Sequence, residues 1–160
     1  MPGPRTSAPL PPSGCFDGAR HLYAVRVYFE DTDLSGVVYH ANYLRWFERA
    51  RSDMLRLLGI NQRAAQEAGE GAFAVTDLAL KYLRPARLDD DVIIESTVAE
   101  VSRATCRLVQ KALRGDDLLA EALVRVAFVS PGGRARRLPA AFAAAFTPLL
   151  ATPQEGSVHP

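Results

Sequence analysis

The sequence predicts an α+β domain in which a curved antiparallel sheet wraps one long helix. Three features carry this expectation. The stretch Asn42 to Leu58 is long, periodic at three- and four-residue steps, and closed by Gly59. Four strand-like runs follow it, and tight turns join the last three. No second long helix alternates with the strands, as a doubly wound parallel sheet would require.

The elements follow in chain order. The first fourteen residues hold five of the eleven prolines and no apolar run, so they are expected to be a disordered tail rather than a secretory signal. The domain is set at residues 21–150, with tails at 1–20 and 151–160. Leu22 to Phe29 alternates, with Tyr23, Val25, Val27 and Phe29 sharing one face of a strand. Asp31 to Gly36 is rich in turn formers. On the long helix, Tyr43, Phe47, Ala50, Met54 and Leu58 make one apolar stripe, which Trp46 and Leu57 widen. Burial on most sides is expected, and Trp46, Phe47 and Met54 are read as packing residues. A short helix is expected over Gln62 to Ala68, ended by Gly69 and Gly71. Strands are expected over Phe73–Leu80, Asp91–Val101, Thr105–Arg114 and Leu118–Val129. Ser102-Arg103 and Gly115-Asp116-Asp117 are their hairpin turns. Ala140 to Phe146 closes the domain as a short helix.

Composition excludes several functions. The 160 residues carry 19 Lys+Arg and 18 Asp+Glu, a net charge of +1, which lacks the basic excess of a nucleic-acid binder. No apolar run is long enough to span a bilayer. Two cysteines, Cys15 and Cys106, and three histidines, His21, His40 and His159, supply neither a disulfide framework nor a convincing metal site. A reduced, cytoplasmic chain without metal is therefore the default. Cys106 sits in a strand pattern with no adjacent histidine to activate it, and is read as core.

Chemistry concentrates between Tyr28 and Arg51. A strand ends in three carboxylates, Glu30, Asp31 and Asp33; a turn at Gly36 follows, then a helix start near His40 to Asn42. Free backbone N–H groups at a helix start polarise a carbonyl oxygen, and a carboxylate beside them can act as nucleophile or base in acyl transfer. Two other readings of these residues are weak. Asp31, Asp33, Ser35 and Gly36 match the first positions of a calcium loop, but Asn42 stands where its last glutamate belongs and a strand precedes it. Asp-Thr-Asp after a strand also fits phosphatases with an aspartyl-phosphate intermediate. Those need a doubly wound sheet and suitable lysines, and only Lys81 and Lys111 exist. The remaining alternative is a solvated turn that merely carries charge.

The run Glu30–Arg51, EDTDLSGVVYHANYLRWFERAR, closely resembles the hotdog-fold acyl-CoA thioesterases of the YbgC kind, associated with the Tol-Pal gene cluster, within the hydroxybenzoyl-CoA thioesterase family. Further matches are LKYLRPARLDD over Leu80–Asp90, then Phe128-Val129 and Arg137-Leu138-Pro139. The resemblance spans about Leu22 to Pro139. It implies a hotdog fold and hydrolysis of acyl-CoA to a carboxylic acid and free CoA. It also implies a homodimer, often doubled to a homotetramer, with active sites at the subunit interface.

Carried over residue by residue, the catalytic carboxylate falls on Asp33, and the N–H that polarises the thioester carbonyl falls on the backbone of His40. The His40 side chain either aids proton transfer or simply occupies the first helical turn. Tyr39 and Gly36 are the neighbouring substrate-binding candidates. Related branches place a catalytic glutamate on the helix. Here Asp33 is intact, so Glu48 is expected to order the helix or pair with Arg51 or Arg45. Arg84, Arg134, Arg136 and Arg137, with Lys81 and Arg87, are candidates for the CoA phosphates. No cofactor is implied beyond the substrate's own CoA. Two alternatives use the same groove: a non-catalytic acyl-binding or scaffold protein, and a thioesterase acting on acyl carrier protein.

Overall fold

A computed structural model of the chain describes residue 3 and residues 7–150. Six strands, β1 (Cys15–Asp17), β2 (Arg20–Arg26), β3 (Ala72–Tyr82), β4 (Asp91–Val101), β5 (Thr105–Arg114) and β6 (Asp117–Val129), form one antiparallel sheet in the order β1-β2-β4-β5-β6-β3. Three helices accompany it: α1 (Asn42–Leu57), α2 (Gln62–Glu67) and α3 (Ala140–Phe146). This is the expected α+β architecture, with α1 lying across one face of the sheet.

Strand alternation decides which side chains meet the helix. Val92, Ile94, Ser96 and Val98 of β4 point inward, as do Cys106, Leu108, Gln110 and Ala112 of β5. They meet Tyr43, Trp46, Phe47, Ala50, Met54 and Leu55 of α1, all buried. Trp46 and Phe47 are thus packing residues, as expected, whereas Met54 packs in the core and also lines a cavity beneath α1. Gly59, at φ +79°, ends α1 in the left-handed conformation that a side chain would strain, and its N–H returns to the Arg56 carbonyl. Asn61 caps α2 through its side-chain oxygen, which accepts the Ala64 N–H.

Several expectations need correction. α1 is buried along one face rather than on most sides, with Leu44, Arg45, Glu48, Arg49 and Arg56 exposed; Leu57 is exposed too and does not widen the buried stripe, whereas Leu55 does. The first long strand stops at Arg26, and Phe29 is 81% exposed in a 3-10 turn over Phe29–Asp31. The alternation runs on past the strand because Val27 is still fully buried while bonded to the Asp90 carbonyl. The folded domain also begins before residue 21: β1 lies within the stretch assigned to the tail and pairs Phe16 with His21. Asp53 explains the docking, since its carboxylate accepts the Gly14 N–H at 3.0 Å and sits 2.6 Å from His21 Nε2. The tail expected at 151–160, with His159, lies outside the described residues.

The apolar C-terminal stretch closes one end of the core. Phe142 and Phe146 of α3 pack with Phe73 and Phe128, and Leu138 and Leu149 are buried. At the opposite edge of the sheet from β1, β3 has no neighbour beyond it among the described residues. Val75, Leu78 and Tyr82 on this edge strand remain 41–50% exposed.

Candidate active site

The loop between β2 and α1 is built by its own hydrogen bonds. Asp31 is its clamp. One carboxylate oxygen accepts the Tyr28 N–H and the other the Asn42 side-chain amide, each at 2.8 Å. Its backbone carbonyl accepts the Tyr39 N–H. Both ends of the loop are thereby tied to the helix start. Within it, the Asp33 N–H donates to the Val37 carbonyl and Gly36 adopts φ +81°, folding the turn back.

Asp33 and His40 line one cavity of about 300 Å³, together with Val38, Tyr43, Tyr82 and Arg84. The Asp33 carboxylate accepts both the hydroxyl and the backbone N–H of Ser35. These bonds, the hydroxyl's foremost, hold its pKa below the usual aspartate value, so it is ionised at neutral pH. Among the described residues, no acceptor engages the His40 backbone N–H, which lies just before α1. The helix dipole favours negative charge at that point. An ionised carboxylate and a free N–H at the head of a helix are the parts an acyl-transfer site needs.

Two residues that sequence reasoning does not assign to the site, Tyr82 and the apolar-stripe residue Tyr43, fix this end of the cavity. The Tyr82 hydroxyl donates to the His40 carbonyl at 2.6 Å. The buried Tyr43 hydroxyl accepts the Ala86 N–H at 3.3 Å. The His40 ring packs against Tyr39, with centroids 4.6 Å apart, and meets the Tyr82 ring at a right angle, with centroids 6.2 Å apart. In the sequence, Tyr82 lies within the LKYLRP stretch that resembles the family, but nothing there marks its contact with His40.

The other candidates separate. Gly36 and Tyr39 belong to the loop but do not line the cavity. Arg84 does, and it pairs with Asp117 at 2.6 Å. Arg134, Arg136 and Arg137 follow β6 at its far end, where Val129 pairs with Ala72, whereas Ala120 pairs with Tyr82 beside the site. Within one chain they are remote from Asp33. Arg136 donates to the Gly69 and Glu70 carbonyls and ties down the turn before β3. Glu48 lines a different cavity, beneath α1, and Arg51 bonds Gln110 rather than Glu48. Cys106 is buried and its thiol is pushed up to about 12 by burial, which leaves it protonated and unreactive.

The calcium and phosphatase readings do not fit this geometry. Asp31 is spent on Tyr28 and Asn42, and the sheet is antiparallel throughout.

A sheet wrapped on one helix is the hotdog fold of thioesterases, and here Asp33 and His40 line a cavity beside the start of that helix. A model of the thioesterase-like superfamily matches residues 27–146, and the chain belongs to that family. It is 46% identical over 110 residues to the acyl-CoA thioesterase YbgC of Haemophilus influenzae, covering 69% of this chain and 81% of that protein. It is 40% identical over 126 residues to the acyl-CoA thioester hydrolase YbgC of Escherichia coli O6:H1, covering 78% and 93%. The crystal structure of a probable thioesterase from Bartonella henselae superposes with a TM-score of 0.72 at 38% identity, covering 75% of this chain and 99% of that one.

Proposed function

We propose that this protein hydrolyses acyl-CoA thioesters to a carboxylic acid and free CoA. The observation that carries this is that ionised Asp33 and His40, whose backbone N–H has no acceptor among the described residues, line one cavity at the start of α1. The thioester carbonyl oxygen accepts the His40 N–H, and the charge that develops on it in the tetrahedral state is stabilised by that bond and by the helix dipole. Asp33 supplies the other half by one of two routes. It attacks the carbonyl carbon, releasing CoA thiolate and leaving a mixed anhydride that water then opens. Alternatively, it takes a proton from a water molecule that attacks directly. Neither route asks for a metal or an organic cofactor, so activity should survive chelation.

The working unit in this reading is a dimer joined along β3. The uncovered row Val75, Leu78 and Tyr82 supports it, because an exposed apolar edge strand invites pairing with a second copy. Antiparallel pairing about a two-fold axis near the middle of β3 brings the Tyr82 end of one strand beside the Phe73–Val75 end of the other. Asp33 then opens toward the partner's cavity beneath its helix. The partner's Arg134 and the partner's Arg137 come to the same end of the joint sheet, where CoA phosphates would sit. Leu78→Arg should convert the dimer, or a tetramer built from it, to monomer in light scattering. No helix among the described residues is long and apolar enough to cross a membrane; the cytoplasm, where acyl-CoA is made and used, is the compartment this reading assigns.

The test is thiol release from short, long and aromatic acyl-CoAs by the folded oligomer. Turnover of one class supports the proposal and names its substrate. No turnover of any acyl-CoA argues against it, and faster hydrolysis of acyl carrier protein thioesters would replace the substrate's carrier.

A further inference from the structure

The cavity beneath α1 has a volume of about 310 Å³, roughly that of ten water molecules. Its walls are largely apolar, drawn from Met54, Leu55, Phe73, Leu108, Val126 and Phe146. Into this surface comes one cation, Arg51, half-buried and carried on α1. The sheet holds it in place. Gln110 is fully buried, and its amide donates to the Phe47 carbonyl and to Ser96 Oγ, both at 2.9 Å. With both donors committed, the Gln110 oxygen has one orientation, and it accepts from Arg51 Nη1 at 2.8 Å.

A guanidinium has five N–H donors. Among the described residues, Arg51 uses a donor on Gln110 alone, and no carboxylate lies within ion-pair distance. Burial lowers its pKa and Glu48 pulls it back, but an arginine stays charged at any physiological pH. An oriented, charged donor with spare hydrogens in an apolar pocket favours a ligand that offers an acceptor there. Exposed Glu48 at the rim balances the charge. A second anion entering the pocket would meet Glu48, whereas a neutral oxygen gains the hydrogen bond without that repulsion.

We infer that Arg51 makes this enzyme prefer acyl groups bearing a neutral acceptor oxygen, a ketone or hydroxyl, beyond the thioester carbonyl. The inference rests on the acyl-CoA reading and on the partner's cavity receiving the acyl group. It adds a specificity residue that the Asp33 and His40 chemistry does not require.

The experiment compares hexanoyl-CoA with 3-, 4- and 5-oxohexanoyl-CoA, reading kcat/KM for each in wild type, Arg51→Met and Arg51→Lys. The ratio of two substrates in one preparation is independent of the fraction of active enzyme, so a partly folded variant still reports. The expected result is that one oxo substrate exceeds hexanoyl-CoA by about tenfold or more, as hydrogen bonds to charged groups provide. That ratio should fall to about one in Arg51→Met and be partly kept in Arg51→Lys. A wild-type ratio near one for every oxo substrate, or a high ratio that survives Arg51→Met, would overturn the inference. Failure to hydrolyse any of the four would instead count against the thioesterase reading itself.

Discussion

Three carboxylates follow β2, in and just after the 3-10 turn, and their surroundings give them different work. Replacing Asp31 by alanine is the sharpest way to test that division. Its side chain makes two charge-assisted hydrogen bonds, to the Tyr28 N–H and to the Asn42 amide, each at 2.8 Å. Such bonds contribute about 1.5–3 kcal/mol each when well shielded. Asp31 is only half-buried, so solvent competes and a combined loss of about 1–2 kcal/mol is expected. For a chain of this size that corresponds to a drop in Tm of about 3–8 °C. The functional loss should be larger than the stability loss. Asp31 ties the loop carrying Asp33 to the helix that carries the His40 N–H, and a misplacement of about 1 Å between reacting groups costs on the order of a hundredfold in rate. Asp31→Ala should therefore lower kcat about 10- to 100-fold in a folded protein, measured by thiol release beside a thermal melt. Glu30→Ala is the control, because Glu30 is exposed and makes no hydrogen bond or ion pair among the described residues. Equal losses in the two variants, or full kcat in Asp31→Ala, would refute the clamp.

Other outcomes follow from the same geometry. Gln110→Leu removes the partners of the Phe47 carbonyl and Ser96 Oγ inside the core, so it should cost about 2–4 kcal/mol in denaturant unfolding. A loss below about 0.5 kcal/mol would show that the polar row beneath α1 is not structural. Asp90 has its pKa held down chiefly by the Arg87 N–H and then by Arg114. A depressed carboxylate stabilises the fold fully above its unfolded pKa of about 4 and loses that contribution as pH falls through the lower folded value. The Tm gap between wild type and Asp90→Asn should accordingly be constant near neutrality and close below about pH 4; a gap that widens on acidification would contradict the assignment.

Much of this was legible in the sequence because two periodicities are clean. α1 reads at 3.6 residues, and β4 and β5 at two, so their ends agree with Asn42, Asp91–Val101 and Thr105–Arg114. Where the pattern outlives the element, it misleads. Phe29 continues the alternation of β2, yet Asp31 has already turned the chain into a 3-10 helix. β1 has three residues behind a proline-rich stretch, too few to show a period, and its docking depends on the distant Asp53. Gln110 illustrates a different limit. It stands at an inward position among Cys106, Leu108 and Ala112, and only the convergence of Phe47, Ser96 and Arg51 explains a buried amide there. The charge run at the end of the chain could not be divided by sequence, since nothing local distinguishes Arg136, which caps two carbonyls, from Arg134 and Arg137. Asp33 was found through a motif, whereas the partners that hold it ionised are visible only in the folded turn.

The central claim is that Asp33 does the chemistry. Asn at this position keeps the shape and removes the charge, so Asp33→Asn and wild type should be compared in thiol release from the best acyl-CoA, with oligomeric state and Tm checked for both. The account predicts an unchanged fold and a fall in kcat of about a hundredfold or more. Retention of wild-type activity in the folded Asp33→Asn protein would contradict it and shift attention to Glu48.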